Sequence, residues 1–240
     1  MASAETPSGG MTESVIEVGD RHVREINRQM QAEAAAGHAM VVRNTMSRHN
    51  LGVGLPAGAR LRFEGSVGYY CGGLNNGASV QIERNAGWGV GEGMASGDIT
   101  VGGYAGMAAG AAMVGGTIHV KGDTGPRCGV AMKGGDIIVE GKVGYLCGFM
   151  AHRGRVIALG GARESCGDAL WEGEVWVAGP IDSLGVDAKI VEPDESEVAS
   201  VEALLSSKGL GDTNRAWRKI VSAQRLWYFE SRDANAWMMI

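Results

Sequence analysis

Residues 99–139 read ITVGGYAGMAAGAAMVGGTIHVKGDTGPRCGVAMKGGDIIV and contain one short motif three times, at intervals of 19 residues. The motif is a pair of apolar residues separated by a single position, and the same interval continues on both sides of this stretch. The pairs are Leu61/Phe63, Val80/Ile82, Ile99/Val101, Ile118/Val120, Ile137/Val139, Val156/Ala158 and Val175/Val177. Seven copies without an insertion or deletion predict seven short strands, each with one face directed toward a core.

Glycine follows the same period. It accounts for 40 of the 240 residues, whereas average usage is about 7%. Complete G-x-x-G-x-x-x-G patterns begin at Gly65, Gly103, Gly122 and Gly141, and the glycine columns are interrupted at Arg84, Arg163 and Asp182. Because glycine accepts a positive φ at little steric cost, these columns predict the corners of a coiled chain. We therefore predict an all-β protein, a right-handed parallel β-helix of seven 19-residue rungs, stacked about 4.8 Å apart.

The repeat divides the chain into three predicted regions. Residues 1–57 are expected to form a tail, a helix and strands that cap the solenoid, residues 58–188 the β-helix, and residues 189–240 a C-terminal helical extension. In the first region we expect a disordered tail over residues 1–11, a strand over Ser14–Val18, a helix that begins at Asp20 and ends at Gly37, and a strand over Ala39–Arg43.

The C-terminal extension contains two predicted helices. The first lies within residues 193–209 and carries Val198, Val201, Leu204 and Leu205 on one face, and the second spans residues 213–229. The last 28 residues also hold the tryptophans Trp217, Trp227 and Trp237. Aromatic anchors of this kind could cap their own solenoid or dock a partner, and both interpretations remain open.

Charge and composition argue against several classes of protein. The net charge is −5, and a nucleic-acid binder usually presents a basic face. No apolar run approaches the 18 residues or so of a membrane helix, and residues 1–15 lack the basic start and apolar stretch of a secretory signal. We expect a cytoplasmic protein whose partners include neither nucleic acid nor a membrane.

Four cysteines occupy one column of the repeat. They are Cys71, Cys128, Cys147 and Cys166. Ligands of a single metal ion converge on a point, whereas this column runs along an axis. We interpret it as a ladder of stacked inward side chains, and we predict neither a metal site nor a cofactor site in this chain.

No catalytic constellation is visible. The five histidines lack metal-type spacing, and His119 alternates with core residues, so it is expected to face solvent or a partner. Asp98 and Asp136 share a column but lie two rungs apart, which does not favour a carbohydrate-active enzyme. The coil has room only for interlocking side chains. Function is therefore expected on an outer face, in a rod that holds other domains in register.

Large polar and aromatic residues interrupt the small-residue repeat in one region. We consider them a candidate partner interface, with ordinary loop decoration as the alternative. The candidates are Tyr69, Tyr70, Asn75, Asn76, Arg84 and Trp88, together with Trp227 and Trp237 in the C-terminal tail.

The repeat resembles the C-terminal β-helix of the large subunit of glutamate synthase, and it is similar to the C subunit of formylmethanofuran dehydrogenase. GWGVGEGMASGDITV (87–101) looks closely like the glutamate synthase rung pattern. A chain of this size looks most like the β-helix subunit of N-methylglutamate synthase, also called methylamine–glutamate N-methyltransferase, and resembles a related stand-alone glutamate-synthase-like protein. Residues 67–82, 127–156 and 222–229 carry that likeness, which covers roughly residues 14–235.

The resemblance implies a split glutamate synthase. One partner would be a glutamine amidotransferase-like subunit, and another an FMN-containing synthase-like subunit that also holds an iron–sulfur cluster. The assembled enzyme would convert methylamine and L-glutamate into N-methyl-L-glutamate and ammonia, with this chain as a scaffold that carries no catalytic residue and no cofactor. Two alternatives remain, a C subunit of a formylmethanofuran-type formyl-transfer complex and a self-assembling solenoid with no enzyme attached.

Overall fold

The computed structural model describes residues 12–212 and 214–224. The elements in chain order are β1 (Glu13–Glu17), α1 (Val23–Ala35), β2 (Ala39–Arg43), β3 (Arg60–Phe63), β4 (Asn76–Ile82), β5 (Ser96–Val101), β6 (Thr117–Val120), β7 (Lys133–Val139), β8 (Lys142–Val143), β9 (Arg153–Ala158), β10 (Gly161–Ala162), β11 (Glu174–Val177), β12 (Ala188–Val191), α2 (Glu195–Ser207) and β13 (Arg218–Ser222).

Eleven of these strands form one sheet, in the order β1-β2-β3-β4-β5-β6-β7-β9-β11-β13-β12, and β8 pairs with β10 in a separate parallel pair. From β3 to β11 the inward residues lie beside those 19 positions further on, as Leu61 beside Val80 and Val80 beside Ile99, and the register shifts by one residue only at the start of β4 and of β7, where Asn76 lies beside Ser96 and Lys133 beside Arg153. The predicted parallel β-solenoid of about seven 19-residue turns is confirmed. Strands β1 and β2 extend the same parallel sheet ahead of the repeat.

Close approach between rungs explains two of the glycine columns. Gly91 has a φ of +67°, and a Cβ on it would lie 2.6 Å from Cδ1 of the core residue Ile118. A Cβ on Gly106 would lie 2.8 Å from the carbonyl carbon of Gly87 in the preceding rung. The first column therefore needs both a left-handed backbone and an absent side chain, and the second lets adjacent backbones stack.

The interior of the solenoid is filled by side chains. The inward pairs of the seven strands pack with all four cysteines and with Met94, Met113 and Met132 in one continuous apolar cluster. The four cysteines are unpaired and fully buried. This confirms the interpretation of their column as a ladder of inward side chains.

A second apolar cluster lies on the outer face of the sheet. Helix α2 places Val201 and Leu205 against Ile138, Ile157 and Trp176, which point away from the solenoid interior. The helix begins with a capping box, in which the Asp194 carboxylate accepts from the Glu197 N–H and the Glu197 carboxylate accepts from the Asp194 N–H. The predicted first C-terminal helix and its apolar face are confirmed.

The second predicted C-terminal helix, over residues 213–229, is wrong. Residues 218–222 form strand β13, which inserts antiparallel between β11 and β12. Ile220 enters the core of the solenoid, while Trp217 packs edge-on against Trp176 in the outer cluster. Trp217 therefore covers its own solenoid. Trp227 and Trp237 lie outside the described residues, as does the predicted tail over residues 1–11.

Two further expectations need correction. The N-terminal helix begins at Val23 rather than Asp20, because the His22 ring nitrogen accepts from the Arg24 N–H and caps the helix there. His119 lies on the outer face of the sheet, as its alternation predicts, but it is only 6% exposed. Its Nε2 donates to the Glu140 carboxylate across 2.9 Å, beneath the end of α2 where Lys208 pairs with Asp98.

Candidate partner-binding surface

One corner of the solenoid carries an exposed column of large side chains. Backbone hydrogen bonds link consecutive rungs at this corner, for example from the Tyr70 N–H to the Trp88 carbonyl and from the Arg127 N–H to the Tyr145 carbonyl. The column therefore runs parallel to the solenoid axis. Its members in successive rungs are Tyr69, Trp88, Met107, Pro126 and Tyr145.

The first rings of this column form a continuous stack. The rings of His49 and Tyr69 lie 4.3 Å apart at 15°, and those of Tyr69 and Trp88 lie 4.9 Å apart at 11°. The His49 ring is held in place because its Nδ1 accepts from the Tyr69 N–H across 2.9 Å. Such offset stacking orders side chains that would otherwise rotate in solvent.

A glycine in the following rung leaves room for the Tyr69 ring and for the Trp88 ring. A Cβ on Gly87 would lie 2.7 Å from Cδ1 of Tyr69, and a Cβ on Gly106 would lie 2.8 Å from Cδ1 of Trp88. Each aromatic side chain thus leans over the glycine of the following rung. The same glycine column serves both the stacking of the backbone and the placement of the exposed rings.

Two more tyrosines extend the surface toward the middle of the rod. Tyr104 and Tyr145 line an open depression of about 270 Å³, together with Pro126 and Arg163. The four aromatic residues Tyr69, Trp88, Tyr104 and Tyr145 are 44%, 51%, 45% and 47% exposed. We call the surface formed by these four residues the aromatic corner.

The residues predicted for the partner interface differ in how exposed they are. Tyr69 and Trp88 lie on the aromatic corner, and Asn76 and Arg84 are exposed. Tyr70 is half-buried, and burial, with a contribution from the Glu92 charge, raises the pKa of its hydroxyl. The partner role of these residues stays a prediction.

The position of Asn75 contradicts its prediction as an interface residue. It is fully buried. Its amide nitrogen donates to the Ala78 carbonyl and its amide oxygen accepts from the Ala78 N–H. It therefore replaces backbone hydrogen bonds in a turn, and in this conformation it has no surface with which to touch a partner. Trp227 and Trp237, also predicted for the interface, lie outside the described residues.

Tyr104 and Tyr145 were missed by the sequence reasoning. Tyr145 lies four rungs after Tyr69 on the 19-residue period, so the signal was present in the spacing. Tyr104 belongs to a neighbouring column and is brought to the corner by the Asn85 side chain, whose oxygen accepts from the Tyr104 N–H. No periodicity of apolar residues marks it.

Two of the buried thiols, those of Cys71 and Cys147, are held in the neutral form. Burial raises the pKa of the Cys71 thiol, and hydrogen bonds to Cys128 and Cys166 raise the pKa of Cys147. Thiols in this state are poor nucleophiles and poor metal ligands. Within residues 12–212 and 214–224, no group of three or more His, Cys, Asp or Glu side chains is arranged to hold a metal ion.

Comparison with protein families and with curated proteins found no match for this chain. Neither helix in the described part of the chain has the length and apolar character of a membrane span.

Proposed function

We propose that this chain is the non-catalytic β-helix scaffold subunit of a split glutamate-synthase-like complex, N-methylglutamate synthase. The complex would convert methylamine and L-glutamate into N-methyl-L-glutamate and ammonia. An amidotransferase-like subunit and an FMN-containing synthase-like subunit would supply the reaction chemistry, the latter with an iron–sulfur cluster. The assembly is proposed to work in the cytoplasm.

The observation that carries this proposal is the filled interior of a regular rod. The inward columns from Leu61 to Val177 are filled by packed side chains, apolar except for residues such as Asn75 and Thr124, so the described coil leaves no internal chamber for a substrate. The depression beside Tyr104 and Tyr145 is open, at about 270 Å³. A stiff rod with large groups in fixed axial register is suited to spacing other subunits.

The resemblance of the 19-residue glycine pattern to the glutamate synthase β-helix is the reason for proposing this particular complex. Segments 67–82 and 127–156, which carry part of the resemblance, lie on either side of residues 83–126 and contain Tyr69 and Tyr145 of the aromatic corner. This overlap between the recognisable sequence and the exposed aromatic residues supports a role in subunit assembly.

The test is reconstitution with the two candidate subunits from the same source. The chain alone should bind no flavin and form no N-methylglutamate, and the three-subunit mixture should form it from methylamine and glutamate. Omission of this chain should abolish or strongly reduce the activity. A flavin that co-purifies stoichiometrically with the isolated chain would contradict the proposal, and so would full activity without the chain.

A substrate comparison distinguishes the proposed complex from its relatives. The reconstituted mixture should be offered methylamine with glutamate, glutamine with 2-oxoglutarate, and a formyl donor in separate assays. Product formation only in the first assay supports the N-methylglutamate assignment. Product formation only in either of the others replaces it.

A further inference from the structure

We propose that the aromatic corner, together with Arg84, Arg127 and Arg163, is the docking surface for an acidic protein partner. The matching surface of that partner consists of apolar side chains flanked by carboxylates. The inference rests on the proposed function, because the partner is taken to be one of the two other subunits of that complex.

Two of the three arginines stand where the repeat elsewhere has mainly glycine. Arg84 and Arg163 replace glycine in two of the glycine columns, whereas Arg127 lies in a mixed column with Tyr70, Gly89, Ala108, Leu146 and Ser165. Arg163 borders the depression between Tyr104 and Tyr145. Arg127 follows Pro126 and bonds through its backbone to Tyr145. The cations thus accompany the aromatic residues along the axis.

These three arginines differ from those on the sheet. On the sheet, Arg62 pairs with Glu83 at 2.7 Å and Arg155 pairs with Asp136 at 2.6 Å. Arg84, Arg127 and Arg163 are exposed, and within the described residues none of them has an ion pair or a side-chain hydrogen bond. Their charges are available to another molecule.

The acidic residues on this surface do not pair with its arginines. Asp123 lies in the depression, where its Oδ1 accepts from the Lys142 N–H, Glu164 is exposed one residue beyond Arg163, and Asp182 is exposed one rung beyond it. Within the described residues none of these carboxylates forms an ion pair with Arg84, Arg127 or Arg163. A partner that presents carboxylates around apolar groups complements this arrangement, since tyrosine, tryptophan and arginine are the residues enriched at protein interfaces.

The stacking geometry at Tyr69 favours a protein over a nucleic acid. Nucleic-acid bases bind by stacking on open aromatic faces. Here both faces of the Tyr69 ring are covered, one by His49 and the other by Trp88. A base therefore has no open face on which to stack at Tyr69, whereas ring edges can still pack against the side chains of a protein interface.

The experiment uses biolayer interferometry to measure how the full-length chain binds each of the two purified candidate subunits, at 50 and 300 mM NaCl. One variant combines Arg84→Glu, Arg127→Glu and Arg163→Glu, and another combines Trp88→Ala and Tyr145→Ala. The matched control combines Arg24→Glu, Arg28→Glu and Arg60→Glu, three exposed arginines outside this surface. Circular dichroism melting of each variant verifies that it is folded.

We expect the corner charge reversal to weaken the affinity for one of the subunits by about 30-fold or more at 50 mM NaCl, and the control to change it by less than about 3-fold. The aromatic double variant should weaken binding by about 30-fold at both salt concentrations, because its contacts are not screened. Wild-type affinity should fall several-fold between 50 and 300 mM NaCl.

Several results would overturn the inference. Wild-type binding that survives both corner variants removes the assignment of this surface and leaves the proposed complex intact, whereas wild-type binding to neither of the subunits removes both. Loss of self-association in the corner variants, measured by light scattering, would assign the surface to a second copy of the chain. Loss of binding to a single-stranded oligonucleotide, with the affinity for both subunits unchanged, would assign it to nucleic acid.

Discussion

Two columns of large apolar residues run along this solenoid. One column is covered by other parts of the chain, and the other is exposed. On the outer face of the sheet, Ile138, Ile157 and Trp176 are covered by helix α2 and Trp217. At the corner, Tyr69 and Trp88 are about half exposed, with no described element of the chain laid over them.

In the sheet column, the polarity of each outward residue matches whether helix α2 covers it. Reading along the sheet, the outward residues are Arg62, Gln81, Thr100, His119, Ile138, Ile157 and Trp176. They change from polar to apolar where α2 begins to cover them. Where no helix lies above the sheet, the chain places polar residues that pair with neighbouring carboxylates, as Arg62 does with Glu83.

The aromatic corner breaks that rule. Its four aromatic residues are spread over five rungs, from Tyr69 to Tyr145, although nothing in the described chain covers them. Contiguous exposed apolar surface in a folded protein marks an interaction site. The contrast between the two columns therefore supports an external partner at the corner, and the following four experiments test how firmly the two columns differ.

The largest effect is expected from truncating a tryptophan on each column. Trp176 is 1% exposed, and its Nε1 donates to Glu174 while its ring contacts Trp217 and the Lys219 ammonium group. Trp176→Ala should reduce the free energy of unfolding by about 3–5 kcal/mol. The matched Trp88→Ala should reduce it by less than about 1 kcal/mol, because only stacking is lost. Urea unfolding measures both, and equal losses would mean that Trp88 is a core residue.

A leucine pair gives the same comparison at a smaller scale. Leu205 on α2 is fully buried against the sheet, whereas Leu74 is 53% exposed on the corner side. Leu205→Ala should destabilise the protein by about 3 kcal/mol because it leaves a cavity between α2 and the sheet. Leu74→Ala should stay within about 0.5 kcal/mol. A stable Leu205→Ala variant would show that α2 does not hold the outer cluster together.

Acidification should weaken the covered column at its polar boundary. Burial lowers the pKa of His119 in the folded protein, in spite of its hydrogen bond to Glu140, and Lys121 and Lys208 lower it further. The unfolded chain, with a histidine pKa near ~6.5, then binds a proton more readily than the folded chain. The stability present above about pH 6.5 should be lost as the pH falls toward the folded-state pKa.

The measurement is urea unfolding of wild type and His119→Gln between pH 8 and pH 5.5. The variant should lose less stability across this range than the wild type does. An identical pH dependence of the two proteins would show that His119 does not titrate differently in the folded and unfolded states.

The smallest effect is expected at the end of the covering helix. Lys208 pairs with Asp98 at 2.9 Å, and the Asp98 side chain is 53% exposed. Lys208→Ala should therefore cost no more than about 0.5 kcal/mol at low salt and less at high salt. Lys121→Ala, at an exposed lysine without an ion pair among the described residues, is the control. A large, salt-independent loss for Lys208→Ala would indicate that the pair anchors α2.

The strands of this fold could be predicted because their register is written in the spacing. Each inward pair, such as Ile99/Val101, recurs after 19 residues and pairs with the next copy. Helix α2 could also be predicted, since Val201 and Leu205 recur at helical spacing. Both patterns indicate a buried face. In the strands it recurs in every rung, and in α2 it recurs over several helical turns.

Strand β13 and Asn75 show where such reasoning ends. The five residues of β13 fit a helical pattern as well as an alternating one, and their conformation is set by the free edges of β11 and β12. Asn75 is polar in sequence, yet it is buried because both of its amide groups bond to Ala78. In both cases the decisive hydrogen bonds come from the tertiary fold or from a turn that residue type alone does not reveal.

The 19-residue step between the inward residues also limits how the length of the rod can change. Glycines such as Gly91 and Gly106 fit against the strand after them or the rung before them, so a partial coil would misplace all later columns. Only the gain or loss of a complete coil preserves the packing, and each one moves the two ends of the rod by about 4.8 Å. The length of the rod can therefore be altered only in steps of one complete coil.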